Sequence, residues 1–143
     1  MNRTHTTRNV LNLILVPLRL LKKKMSNTAN AIYEAIVVHT AWKNKLREII
    51  KTGKNKYDVD AEHCQFGKWL IEHANELSVY KHYPQIVYLH DQFHKEAGKI
   101  IQFALDRKFQ EANTSVGYGG DFDHISQEMV KNLIAWHDVV IGK

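Results

Sequence analysis

The chain of 143 residues holds a single cysteine, Cys64, so no disulfide can form within it. A lone thiol is ordinary in a reducing compartment, which suggests the cytoplasm. Proline occurs only twice, and no low-complexity tract or internal repeat is present. With 44% hydrophobic residues, this composition excludes a disordered chain. No alternating apolar pattern of the kind a strand needs runs through it. No uninterrupted apolar run is long enough to span a bilayer, since Val10–Leu21 is broken by Asn12, Pro17 and Arg19. The length fits one domain with a modest core that needs no disulfide support.

Acidic residues are missing from the first 24 positions, which carry Arg3, Arg8, Arg19, Lys22, Lys23 and Lys24. The formal charge of +5 therefore belongs to this leader. Without those six cations the chain has fourteen basic and fifteen acidic side chains, a net charge near −1. A nucleic-acid partner is not expected on that distribution. Ala29 and Ala31 mimic a signal-peptide cleavage site, but three lysines between the apolar run and that site fit it poorly. Residues 1–24 read as a leader foreign to the domain, either a non-native start or disordered. Membrane contact by the leader is not expected. Residues 25–143 read as the domain.

From Ser26 the pattern is helical. Ser26, Asn27 and Thr28 offer N-caps. Ile32, Ala35, Ile36, His39, Trp42, Leu46, Ile49 and Ile50 then share one helix face, and Gly53 ends it. Lys54 to Glu62 reads as a polar loop. A short helix starts near Cys64 and carries Phe66, Trp69, Leu70 and Ala74. Pro84 suits the first turn of the next helix, whose stripe is Ile86, Leu89, His90, Phe93, Ala97, Ile100, Ile101 and Ala104. The pattern breaks from Asn113 to Gly120. A last helix carries Phe122, Ile125, Met129, Leu133, Trp136 and Val140. The expected fold is an all-α antiparallel four-helix bundle with one short helix bearing the cysteine.

Nine histidines are many for this length. His90 and His94 stand one helical turn apart, and such a pair can share a metal. His39 and His90 both lie on apolar stripes. A buried histidine needs a hydrogen bond or a metal to offset desolvation, so each alone also reads as a core histidine bonded to backbone. Cys64 opens a short helix, where the dipole favours negative charge. Gly67 removes a side chain where another backbone or ring comes close. Three histidines and a cysteine suit tetrahedral zinc, whereas iron and manganese bundles use carboxylates, and no Glu-x-x-His pair lies near these positions.

The order His39-x-x-Trp42, then Cys64-x-x-Gly67-x-Trp69, then His90-Asp91-x-x-His94 resembles the chemoreceptor zinc-binding domain family. The resemblance covers roughly residues 28–140. It implies a zinc ion on His39, Cys64, His90 and His94, within a four-helix bundle. Trp42, Gly67, Trp69 and Asp91 complete the motif; Asp91 reads equally as a group that orients a ligand or as a solvated charge, and the two tryptophans are more suited to packing. His63 adjoins Cys64 but has no counterpart in the pattern. His73, His82, His124 and His137 read as surface or loop residues, and His5 lies in the leader.

Members of that family are attached to bacterial chemoreceptors or diguanylate cyclases and respond to hypochlorous acid. The resemblance thus implies a zinc-binding regulatory module, apparently standing alone, that senses zinc or oxidation of the zinc thiolate. The resemblance further implies signalling through a partner protein and pairing as a homodimer. The alternative is a structural zinc protein that acts only as an interaction module. An enzyme is not expected, because four protein ligands leave no open position for water.

Overall fold

A computed structural model describes residues 17–143, and residues 1–16, including His5 and the first part of the leader, lie outside the described residues. The described chain is all-helical. Its elements are α1 (Leu18–Thr52), α2 (Gln65–Glu72), α3 (Ala74–Leu77), α4 (Tyr83–Leu105), α5 (Phe109–Val116) and α6 (Asp121–Val140).

The first helix starts earlier than the sequence pattern suggests. It begins at Leu18 rather than near Ser26, and the Pro17 carbonyl accepts from the Leu20 and Leu21 amides. Leu, Lys, Arg and Met are good helix formers, so Leu18–Met25 continues the helix upstream. Thr28 consequently sits inside it. Its hydroxyl donates to the Lys24 carbonyl at 3.0 Å instead of capping an amide. At the other end Gly53 takes a left-handed φ of 69° and its amide closes on the Ile49 carbonyl, as expected of a glycine stop.

The region after α4 differs too. The expected break at Asn113 is a helix, α5, that runs on to Val116. Ala112, Ser115 and Val116 are its buried positions, a helical spacing too short to stand out in the sequence. Only residues 117–120 form a turn. At Gly120 a Cβ would collide with the carbonyls of Thr114 and Ser115, so the turn tolerates no side chain there. The short cysteine helix also ends sooner than expected. It stops at Glu72, and Ala74 opens α3.

One core joins these elements. α6 packs on both α1 and α4, α5 closes against α4, α1 and α6, and α2 is seated on α4. Ile32, Leu46, Ile86, Phe93, Ile100, Phe122, Met129, Leu133 and Trp136 are essentially shut off from solvent. Burying each such side chain is worth about 1.5–3 kcal/mol. Every residue of the predicted α4 stripe is buried. On α1 and α6 the exceptions are Ile36 and Ile125, which are partly buried against the core.

Two polar junctions fix the helix ends. Lys43 Nζ on α1 donates to Asp123 Oδ1 at 2.7 Å, while Asp123 Oδ2 accepts from the Gly119 amide at 2.9 Å. Ser115 Oγ donates to the buried Glu96 carboxylate and accepts from the Phe122 amide, each at 3.2 Å. Thus α1 and α5 grip the start of α6, and Glu96 of α4 holds the Ser115 hydroxyl that does so. No helix among the described residues is long and apolar enough to cross a membrane.

Candidate metal centre

The four residues that the motif singles out meet in the core. His39 comes from α1, His90 and His94 from α4, and Cys64 from the residue that precedes α2. The three rings are packed against one another, with centroids 5.0 Å apart for His39 and His90, 5.5 Å for His39 and His94, and 4.5 Å for His90 and His94. Cys64 Sγ lies 3.7 Å from His39 Nε2. One donor atom from each of the four can be chosen so that all lie within 4.8 Å of one another. No carboxylate belongs to the group.

Backbone carbonyls set the ring orientations. His39 Nδ1 donates to the Ala35 carbonyl one turn back at 2.7 Å. His94 Nδ1 donates to the Val59 carbonyl at 2.8 Å. A carbonyl can only accept, so both rings carry their proton on Nδ1 and turn a bare Nε2 toward the group. Partners of this kind also hold metal-ligating histidines in register.

Burial is nearly complete for the histidines, at 0% exposure for His39, 3% for His90 and 4% for His94. Nε2 of His90 and Nε2 of His94 are buried and have no hydrogen-bond partner. Leaving such an atom unpaired costs about 1–3 kcal/mol. Two unpaired ring nitrogens beside a third imidazole and a thiol form an arrangement that one shared cation satisfies. Tetrahedral zinc spaces its nitrogen and sulfur ligands roughly 3.3–3.8 Å apart, judged from its bond lengths. The donors here lie within 4.8 Å of one another, at most about 1–1.5 Å beyond that spacing, and their types match, so the residues present fit zinc.

The surroundings hold the rings still. Phe93 and Phe66 meet His39 edge-on at 5.2 and 5.7 Å between centroids. Phe66 likewise meets His90 at 5.3 Å, and Trp42 meets His94 at 6.1 Å. Burial pulls the His39 pKa down to about 4 and that of His90 to about 3. Burial also lowers His94, while its bond to Val59 opposes the shift. All three rings are therefore neutral at pH 7 and free to donate a lone pair.

Gly67 explains the centre of the cysteine motif. A Cβ there would collide with the Ala61 carbonyl and approach His90 Cε1 to 3.0 Å. The absent side chain lets α2 lie on both the preceding turn and a ligand ring. Trp42 is buried beside His94, and Trp69 stacks on Phe66 at 5.6 Å and reaches Trp136 at 6.0 Å. Both pack rather than ligate. Asp91 pairs with Lys95 at 3.0 Å on the surface, and its hydrogen bonds do not include a ligand ring. His63 is exposed and bonds Asp58 at 2.8 Å. His73, His82 and His137 are half-buried, His124 is exposed, and none joins the group.

The orienting carbonyls of Ala35 and Val59 escaped the sequence reading, because every residue has one. The available signal was Val59 itself, an apolar residue in a polar loop. It is half-buried on the core, with Cγ1 near Gly98 on α4. Earlier in the loop, the Tyr57 hydroxyl donates to Glu48 at 2.8 Å, and Lys45 Nζ lies 4.9 Å from the Trp42 ring centroid and 5.0 Å from that of Tyr57.

Residues 39–101 match the family model described as the chemoreceptor zinc-binding domain. No curated protein matches the chain, and no solved structure matches it either.

Two outcomes follow from this geometry. Gly67→Ala forces α2 away from Ala61 and His90, so it lowers stability by about 1–3 kcal/mol and weakens metal binding together, as denaturant titration and metal analysis will read. The metal-free protein also has a defined pH dependence. The unfolded chain takes up protons on His39 and His90 near pH 6.5, whereas the folded chain does so only near 4 and 3. Stability from these rings is fully present above about pH 6.5 and is lost as pH falls from there through about 4 for His39 and about 3 for His90. A urea midpoint of the metal-free protein that does not fall between pH 7 and pH 5 contradicts this.

Proposed function

We propose that this chain, a member of the chemoreceptor zinc-binding domain family over residues 39–101, holds one zinc ion on His39, Cys64, His90 and His94 and acts as a regulatory module. The observation that carries the reading is the group of three buried histidines and the half-buried Cys64, with Nε2 of His90 and of His94 unpaired inside it. The frame is read as an antiparallel four-helix bundle, with α2 as the short helix behind the cysteine. When bound, zinc supplies a link between α1, α4 and the start of α2, and keeps the sulfur as a thiolate.

The signal is read at Cys64. The three histidines are buried, whereas Cys64 is only partly so. A two-electron oxidant such as hypochlorous acid reaches the sulfur first. The thiolate attacks the chlorine, releasing hydroxide. Water then displaces chloride from sulfur, leaving a sulfenic acid and a proton. Sulfur loses two electrons and chlorine gains them. A sulfenic acid is a poorer ligand, so the start of α2 is freed from the histidines. α2 carries Trp69, which touches Trp136 on α6, and this contact passes the change across the domain. Output through a partner signalling protein, a homodimeric state and a cytoplasmic location are part of the same reading, on the strength of the family. Loading and unloading of zinc is the second input that the same site accommodates.

Metal analysis of the chain purified without chelator tests the site. Near-stoichiometric zinc is expected in the wild type, with loss in His39→Ala, Cys64→Ala, His90→Ala and His94→Ala. Zinc retained in all four variants rejects it. Mild oxidant treatment tests the thiolate switch. It is expected to release zinc from the wild type and to change α2 packing, read by tryptophan fluorescence. An equal response in Cys64→Ser rejects the switch. A zinc-loaded wild type that ignores oxidant leaves a structural zinc module instead.

A further inference from the structure

The candidate centre is closed on most sides. Phe93 lies against His39, with Phe122 packed behind it. Trp42 covers His94, with Tyr57 and Lys45 outside it. Phe66 and Gly67 press on His90. The sulfur side differs. A cleft of about 430 Å³ runs between α1 and α2, and Cys64 is part of its lining. Ala31, Glu34 and Val38 form one wall, and Lys68, Trp69 and Glu72 form the other.

We propose that this cleft is the passage by which the metal ion enters and leaves the centre, with Glu34 and Glu72 as the carboxylates that gather it. The proposal rests on the zinc-site reading. A hydrated dication cannot cross the aromatic walls without losing its water to apolar surface, which is costly. Along the cleft it can exchange waters for carboxylate oxygens at Glu34 and Glu72, then for the Cys64 sulfur, and last for the imidazole nitrogens. Oxygen ligands bind zinc readily enough to capture it, and nitrogen and sulfur complete its preferred set. No electron moves in any of these exchanges. Lys68 sits in the opposite sense and moderates the pull of the two acids. Small side chains keep the passage open, Ala31 above all, because a larger group there would fill it.

Stopped-flow loading of the full chain with zinc, followed with a fluorescent zinc indicator, tests this together with zinc removal by excess chelator. Ala31→Phe and Val38→Trp are expected to slow loading and release by the same factor, about tenfold, with Kd unchanged. Glu34→Gln combined with Glu72→Gln lies on the exposed rim and leaves the fold alone. It is expected to slow loading about tenfold and to reduce its dependence on salt. Wild-type rates in both filled variants overturn the passage, as does slowed loading without slowed release, which marks lost affinity. Unchanged loading and salt dependence in the double glutamine variant overturn the role of the carboxylates. These failures leave the zinc site standing. A wild-type chain that binds no zinc removes the site and the passage together.

Discussion

Two backbone carbonyls govern this molecule's chemistry. By accepting from Nδ1 of His39 and Nδ1 of His94, Ala35 and Val59 decide which nitrogen of each ring stays bare and where it points. An imidazole free to choose its tautomer could satisfy itself on a neighbour and leave the core quiet. Here the choice is made by groups that can only accept, so Nε2 is the nitrogen that each of these two rings has left for a metal. The low pKa values follow from the same confinement, since neutral rings held in an apolar core resist a proton.

The two carbonyls differ in kind. Ala35 belongs to the same helix as His39, four residues back, so that bond forms as soon as α1 does. Val59 is 35 positions from His94 and lies in a loop. Its bond exists only once the loop from α1 to α2 has settled on α4. That loop ends in Cys64. Orientation of one histidine and delivery of the sulfur are therefore products of a single packing event. Tyr57, Lys45 and Glu48 pin the near end of the loop, and Gly67 lets the far end approach.

Much of this was legible in the sequence. The stripes on α1, α4 and α6 were visible because each runs through several turns at a strict spacing. His39 and His90 stood out as polar members of apolar faces. Cys64 did not stand out by periodicity, being alone in a short element, and its place came from the motif that it shares with Gly67 and Trp69. Less was legible where the signal is short or carried by backbone. Eight residues of α5 bury only Ala112, Ser115 and Val116, too few to display a period. The start of α1 was obscured because Ser26, Asn27 and Thr28 look like caps, yet strong helix formers precede them. Asp91 reads from the sequence equally as an orienting group or a solvated charge, and its pairing with Lys95 on the exposed surface matches the second.

The stretch from Val59 to Cys64 has a consequence of its own. Connecting segments on protein surfaces ordinarily accept extra residues at little cost. This one spans two fixed points, a carbonyl bonded to a ring of α4 and a sulfur beside a ring of α1, with the Asp60 carbonyl accepting from the His63 and Cys64 amides between them. It works as a ruler. Lengthening it by one residue would displace either the carbonyl or the sulfur, so the span holds its length, and the Asp60 carboxylate that accepts from the Glu62 amide helps to set it.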